Sequence, residues 1–258
     1  MAKLRILTVI GARPQIIKAA AISRAVSGTY AGRIEETLLH TGQHYDTNMS
    51  QVFFDELGIP RQHVDLAVGS GGHGVQTARM IEGIERQLLA ERPDVVLLYG
   101  DTNSTLAGAV AAAKLHVPVA HVEAGLRSFN KAMPEEVNRI VCDHCSTWLF
   151  CPTTTAVENL IREGFPEQVT GRPSADVPRV DLSGDVMYDN SLHFATLARE
   201  RSTLLRELGL EGRDHVLVTV HRDHNTDDPE RLNAIVSALL EVHRTHGLPL
   251  VLPLHPRT

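Results

Sequence analysis

Short apolar runs recur along most of the chain, separated by longer polar or mixed segments. The runs are too short for ordinary helices and are bounded mainly by Gly, Pro or polar residues, which predicts buried β-strands. The predicted strands cover residues 4–10, 34–39, 64–68, 95–99, 117–122, 147–151, 216–220 and 249–254. The run at 64–68 is the weakest of these signals.

The segments between the runs carry helix signals. Pro14 and Pro134 suit the first position of a helix, and Thr102, Asn103 and Ser104 offer an N-cap before an Ala-rich run. Predicted helices cover residues 48–57, 75–90, 134–146 and 229–245, with further helices ending near residues 114, 162 and 208.

Alternating strands and helices are typical of an α/β fold with a doubly wound parallel sheet, Rossmann-like in form. Residues 1–170 are predicted to form this domain, and residues 171–185 a linker or loop insertion. Residues 186–258 begin a second β-α-β unit whose two strands cannot bury both faces of a sheet. We therefore expect an incomplete second domain and a chain that is truncated relative to its pattern.

Composition narrows the classes of function. The 258 residues are 43% hydrophobic and 22% charged, with a net charge of −6, which argues against a general nucleic-acid or membrane surface. These values do not exclude a local basic pocket that binds an anionic ligand. The first apolar run is too short for a signal peptide and reads as a strand, so a cytoplasmic location is expected.

The cysteines do not predict a metal site or a disulfide framework. There are three of them, too few and too clustered for a set of bridges. Cys142 and Cys145 have zinc-like spacing, but no second pair of ligands follows, so packing on one helix face is the favoured interpretation.

A possible anion site follows the first strand. Arg13 and Lys18 flank the start of a predicted helix at the carboxyl end of that strand. Free backbone N–H groups and the helix dipole add to the two cations, as a phosphate site requires. From spacing alone, a surface Arg and a surface Lys are an equal alternative.

Acidic residues follow neighbouring predicted strands. Asp101 comes just after the strand at 95–99, Glu123 directly after the strand at 117–122, and Glu135 in the first turn of the helix that begins at Pro134. Carboxylates grouped in a closed cleft acquire unequal pKa values, so one can donate a proton while another accepts. The alternative is that Asp101 and Glu135 serve as helix caps and Glu123 merely ends a strand.

The glycine-rich segment 69–74 formally matches G-x-G-x-x-G, but the dinucleotide interpretation is weak. Its preceding strand is marginal, and Asp94 precedes the next strand, whereas a ribose-binding acid should follow it. A flexible glycine loop is favoured.

Several motifs together resemble one family, the non-hydrolysing UDP-N-acetylglucosamine 2-epimerases of bacterial surface-polysaccharide synthesis. They occur in family order over nearly the whole chain, with wording similar to the branch that acts on UDP-2,3-diacetamido-glucuronate. The motifs are GARPQIIKAA, HTGQHYD, YGDTNSTLAGA, HVEAGLRS, MPEEVNR, GDVMYD and VHR-x-x-NTDDPERL.

The resemblance implies a glycosyltransferase-B-like architecture of two Rossmann-like halves with UDP between them, no cofactor, a UDP-sugar substrate and a homodimer. UDP is eliminated to leave a bound glycal and is then added back with C2 inverted. The site residues that it implies have three roles: acid/base catalysis for Asp101, Glu123, Glu135 and His221; phosphate binding for Arg13 and Lys18; and substrate contact for Gln43, His44 and Arg222.

Two departures from the family pattern matter. Asp223-His224-Asn225 replaces the usual Ala-Glu-Asn after His221-Arg222, and the family's later uridine- and diphosphate-binding stretches do not follow. We therefore expect this chain, assayed alone, to be a poor or inactive epimerase. A nucleotide-sugar-binding pseudoenzyme and a hydrolysing 2-epimerase are the competing hypotheses.

Overall fold

The computed structural model describes residues 2–43, 57–59, 63–220 and 223–253, with only the backbone at 223 and 224. This chain divides into two compact units, Met1–Phe194 and Ala195–Thr258. The predicted helix at 48–57 lies outside the described residues except for its last position. The predicted domain boundaries at 170 and 186 stay predictions.

The first unit is built on a parallel sheet of seven strands in the order β3-β2-β1-β4-β5-β6-β7. The strands are β1 (Leu4–Ile10), β2 (Ile34–His40), β3 (Val64–Asp65), β4 (Val95–Tyr99), β5 (Val119–Val122), β6 (Trp148–Cys151) and β7 (Arg179–Leu182). Chain order reverses between β1 and β4, and ligands bind at such switch points in open α/β sheets.

Helices connect the strands and cover both faces of the sheet. They are α1 (Arg13–Ser27), α2 (His73–Glu91), α3 (Asn103–Lys114), α4 (Pro134–His144), α5 (Thr154–Arg162) and α6 (Val186–Arg201). One core cluster joins α2 and α3 to alternate residues of β4, such as Val96 and Leu98. A second cluster joins α1 to the opposite face of β4, at Leu97 and Tyr99. The doubly wound fold is thus confirmed.

The register aligns the carboxyl ends of the central strands. Val9 of β1 pairs with Leu98 of β4, and Tyr99 of β4 pairs with Val122 of β5. The turns after β1, β4 and β5 therefore leave the same edge of the sheet side by side.

Residues 179–182 form β7, a strand inside the segment predicted as a linker or loop insertion. They pair in parallel with β6, from Trp148 and Arg179 to Cys151 and Leu182. The strand has two charged residues in four and lies at the edge of the sheet, with Arg179 and Leu182 exposed. It therefore lacks the continuous apolar run of a strand buried on both faces.

The second unit contains a parallel pair, β8 (Val216–Leu217) and β9 (Leu250–Val251), both shorter than predicted. Its helices are α7 (Leu204–Glu207), α8 (Asp223–Thr226) and α9 (Pro229–His246). α9 is capped by the Asp228 side chain and ends at Gly247, whose φ is 65°. Within the described parts of the chain, no helix is both long and apolar enough to cross a membrane.

Candidate functional site

The turns after β1 and β4 are packed closely at the switch point. A Cβ added to Gly11 would lie 2.1 Å from both Ser104 Oγ and Thr41 Oγ1, so only glycine fits there. Those two hydroxyl groups hydrogen-bond each other at 2.8 Å. The close approach brings the start of α3 against the start of α1.

Gln15 joins the two turns through four hydrogen bonds. Its Oε1 accepts from the backbone N–H groups of Gly11 (2.9 Å) and Ala12 (3.2 Å). Its Nε2 donates to the carbonyl of Tyr99 (2.9 Å) and to Thr105 Oγ1 (3.0 Å). Because Gln15 is buried, these bonds fix the position of the turn between β1 and α1 relative to the turn between β4 and α3, which contains Asp101.

Lys18 and Glu123 form an ion pair across the edge. Lys18 lies in α1, Glu123 follows β5, and their side chains are 17% and 13% exposed. Glu123 has a φ of 70°, the left-handed region that a glutamate rarely adopts. A Cβ on Gly100 would lie 3.2 Å from both Glu123 Oε2 and Lys18 Nζ, which places the pair directly beside the residue before Asp101.

Asp101 is held by Arg139 of α4. One guanidinium nitrogen contacts Asp101 Oδ2 and the other contacts Glu136 Oε2. Glu136 also accepts from the backbone N–H groups of Ser128 and Phe129, each at 2.9 Å. Burial opposes the charge on Glu136, but these donors and Arg139 lower its pKa.

Glu135 lies in the exposed first turn of α4. It is four residues from Arg139, so both lie on one face of the helix, and Arg139 connects that face to Asp101. Within the described ranges, no hydrogen bond or ion pair joins the Glu135 side chain to another residue.

Amide side chains link α4 to α3 and α2. Asn138 Nδ2 donates to the Asp101 carbonyl (2.9 Å) and to Asn103 Oδ1 (3.2 Å), and Asn103 Nδ2 donates to Gln76 Oε1 (2.9 Å). Gln43 joins this edge because its Oε1 accepts from Ser104 N (3.1 Å) and Ser104 Oγ (2.8 Å).

A fully buried pair, His121 and Asp143, lies beneath the site. His121 Nδ1 is 2.7 Å from Asp143 Oδ1, and His121 Nε2 is 2.8 Å from the carbonyl oxygen of Gly100. Asp143 Oδ2 also accepts from Gly125 N (3.1 Å) and Arg127 Nη1 (2.7 Å). Burial opposes the charge on His121, yet Cys142 and Asp143 raise its pKa well above the ordinary value.

The structure places the predicted residues as follows. Lys18 and Glu123 contact each other, Asp101 lies one residue from Gly100 beside that pair, and Gln43 contacts α3. Arg13 is exposed at the start of α1. The predicted sites His44, His221 and Arg222 lie outside the described residues. The contact residues that escaped prediction include Gln15, Asn138 and Arg139.

The missed residues carried a weak sequence signal. Asn138 and Arg139 belong to the MPEEVNR motif, and Gln15 to GARPQ, but spacing does not reveal a contact with a turn far along the chain. Among the described residues, no group of three or more His, Cys, Asp or Glu side chains is arranged to hold a metal ion.

Comparison with known proteins identifies relatives along almost the whole chain. The family model for UDP-N-acetylglucosamine 2-epimerase matches residues 29–258. A UDP-2,3-diacetamido-2,3-dideoxy-D-glucuronate 2-epimerase of Pseudomonas aeruginosa is 52% identical, over 99% of this chain and 68% of its own. A UDP-N-acetylglucosamine 2-epimerase of Methanocaldococcus jannaschii is 40% identical, over 99% of this chain and 67% of its own. The chain thus spans about two thirds of the length of these relatives.

Solved structures match over the same span. The crystal structure of the Methanocaldococcus jannaschii UDP-GlcNAc 2-epimerase in complex with UDP-GlcNAc and UDP has a TM-score of 0.80 and 41% identity, covering 99% of this chain and 67% of that one. The UDP-GlcNAc 2-epimerase of Neisseria meningitidis bound to UDP-GlcNAc has a TM-score of 0.80 and 28% identity, covering 98% and 66%. These matches confirm the predicted fold class.

Proposed function

Because this chain belongs to the UDP-N-acetylglucosamine 2-epimerase family, we propose that it inverts C2 of a UDP-N-acetylglucosamine-type sugar nucleotide. The observation that supports this most directly is the Lys18–Glu123 ion pair beside Gly100, the residue before Asp101, at the switch point of the sheet. Two carboxylates and a cation at one edge are the groups that proton transfer beside a bound anion requires.

The proposed reaction has two halves that mirror each other. A base removes the C2 proton, the C2–H electron pair forms a double bond to C1, and the C1–O bond to UDP breaks. UDP then returns to C1 of the bound glycal while an acid delivers a proton to the opposite face of C2. Asp101, Glu123 and Glu135 are proposed as the acid and base groups, with His221 beside the diphosphate as a further one.

Arg13 and Lys18 are proposed to bind the diphosphate at the start of α1. The positive end of the helix dipole adds to the two cations. Lys18 is neutralised by Glu123 in the structure, so an arriving phosphate competes with this carboxylate for the ammonium group. Gln43, His44 and Arg222 are proposed to contact the substrate.

The relative of 52% identity suggests the substrate class. We propose a UDP-2,3-diacetamido-glucuronate-type sugar as the preferred substrate over UDP-N-acetylglucosamine, with a role in bacterial surface polysaccharide synthesis. A homodimer and a cytoplasmic location are part of the same proposal.

Proton NMR in deuterated water tests the function. The purified protein is incubated with UDP-N-acetylglucosamine and, separately, with its diacetamido-uronate analogue. Deuterium at C2 of an intact UDP-sugar supports the proposal, and a faster rate with the uronate supports the substrate assignment. Slow exchange is the result expected from the departures from the family pattern. Release of free sugar would indicate a hydrolysing enzyme, and binding with no exchange above a protein-free control would indicate a binding protein; either result would refute the proposal.

Asp101→Asn tests the catalytic assignment. Loss of the proton-transfer group should lower the exchange rate by at least about 100-fold while UDP binding stays measurable. Asp94→Asn is the matched control because Asp94 lies before β4, at the opposite edge of the sheet, where it accepts from Arg5 N. Equal rates in the two variants would defeat the assignment.

A further inference from the structure

The His121 ring bridges two acceptors that cannot donate. Asp143 offers a carboxylate oxygen at 2.7 Å and Gly100 a carbonyl oxygen at 2.8 Å. A neutral imidazole has a single N–H, so both bonds form together only when both ring nitrogens carry hydrogen. Asp143 supplies the opposite charge in a site where His121 and Asp143 are both fully buried.

This pair connects the turns that carry two proposed catalytic carboxylates. The Gly100 carbonyl belongs to the peptide that begins at Asp101. Asp143 Oδ2 accepts from the N–H of Gly125, two residues after Glu123, at 3.1 Å. One rigid ring and one carboxylate thus tie the Asp101 turn to the Glu123 turn.

The Asp101 turn approaches the Lys18–Glu123 pair closely at Gly100. A side-chain carbon on Gly100 would lie 3.2 Å from both Glu123 Oε2 and Lys18 Nζ. Because a peptide group is planar, a change in the direction of the Gly100 carbonyl also moves the amide of Asp101. Loss of the hydrogen bond from His121 would therefore displace Asp101 relative to Glu123.

We propose that His121 is a positioning residue for the epimerisation. Its ring fixes the Gly100–Asp101 peptide against the Gly125 turn, and so sets the distance between the Asp101 and Glu123 carboxylates. The inference rests on the proposed function. His121 acts through the Gly100 carbonyl and Asp143, and substrate recognition is left to other groups.

Two substitutions test the effect on turnover. His121→Phe removes both hydrogen bonds, and kcat for C2 exchange should fall about 100-fold, since small misplacements of reacting groups have effects of this size. KM should stay within about threefold, because the groups proposed to bind UDP are unchanged. His121→Gln keeps one donor and should recover about tenfold of the lost kcat.

Asn190→Ala is the matched control for stability. Asn190 is buried in α6, where its Nδ2 donates to the Ile17 carbonyl (2.6 Å) and its Oδ1 accepts from Arg24 (2.7 Å). This variant should lower Tm as the His121 variants do, with kcat retained. If His121→Phe lowered Tm but kept kcat, as is expected of Asn190→Ala, the role of His121 would be purely structural. That result would overturn the proposal.

Nitrogen-15 NMR gives a readout that does not depend on activity. In the parent protein both His121 ring nitrogens should carry hydrogen at pH 8. The amide resonances of Asp101 and Glu123 should shift in His121→Gln and stay in place in Asn190→Ala. A single ring N–H, or unshifted amides, would overturn the inference. Absence of C2 exchange in the parent protein would instead refute the proposed function, and these spectra would still decide the role of His121.

Discussion

At the scale of the residue, Glu135 and Glu136 differ sharply although they are neighbours in sequence. Glu135 is exposed in the first turn of α4, whereas Glu136 is 1% exposed and accepts from two backbone N–H groups and Arg139. The first is available to a ligand. The second holds the loop between β5 and α4.

This contrast predicts that the same substitution lowers activity at one position and stability at the other. Glu135→Gln should reduce C2 exchange by at least about 100-fold with the free energy of unfolding unchanged. Glu136→Gln should lower the free energy of unfolding by about 2–3 kcal/mol because charge-assisted hydrogen bonds are lost. Urea unfolding and the NMR exchange assay measure both quantities.

The pH dependence of the Glu136 effect has a definite sign. The pKa of Glu136 is lowered on folding, so its contribution is present above the ordinary pKa and is lost as the pH falls through the folded value. The difference in stability between the parent protein and Glu136→Gln should shrink on acidification. A difference that grows would contradict the interpretation.

Alanine substitutions at two glycines should change the stability of the protein in opposite directions. Gly125 has a φ of 75°, and an added Cβ would lie 2.3 Å from the Ala156 carbonyl oxygen. Gly125→Ala should therefore cost about 3 kcal/mol of unfolding free energy. Gly74 lies in α2 with open space around it, so Gly74→Ala should stabilise by about 0.5–1 kcal/mol. Thermal unfolding of both variants tests the pair.

At the scale of the element, the sequence predicts the bounds of a strand most accurately where every residue of that strand is buried. β4 has the predicted bounds because all five of its residues are buried and form one apolar run. β7 escaped prediction because an edge strand needs no such run. α6 and α7 were predicted as one helix reaching residue 208, but the structure interrupts it at Ser202 and Thr203.

The site was predictable in part for a related reason. Asp101 and Glu123 stand directly after buried strands, so the parallel topology places both at one edge. Gln15 contacts Tyr99, 84 residues away, and Arg139 contacts Asp101, 38 residues away. Neither separation matches the repeat of a helix or a strand. These contacts can therefore be identified only once the pairing of the strands is known.

The cap of α9 gives a prediction for the second unit. Asp228 Oδ1 accepts from Glu230 N at 3.0 Å and from Arg231 N at 3.4 Å. Asp228→Ala should destabilise this helix by about 1 kcal/mol, whereas Asp228→Ser should keep most of the cap. Hydrogen exchange of amides in the first turn of α9 measures the effect, and equal exchange in the two variants would contradict it.

At the scale of the whole molecule, the buried His121–Asp143 pair predicts how stability depends on alkaline pH. The pKa of His121 is raised on folding by Cys142 and Asp143, so the folded state keeps a proton that the unfolded state releases above about pH 6.5. Its contribution is complete below that pH and falls by about 1.4 kcal/mol per pH unit until the folded pKa is reached.

Urea unfolding of the parent protein and His121→Gln between pH 6 and pH 9 tests this dependence. The stability advantage of the parent protein should decline as the pH rises. A constant or rising advantage would show that His121 is neutral in the folded protein.

The sheet order places the first strand of the chain in the interior of the sheet. β1 lies between β2 and β4, and Ile6 and Val9 pair with strands on both sides. Trimming β7 from the rim would leave the remaining ladder continuous, but clipping the first ten residues would split it into two separate pieces. During synthesis, β1 can pair with β4 only after β4 has emerged from the ribosome.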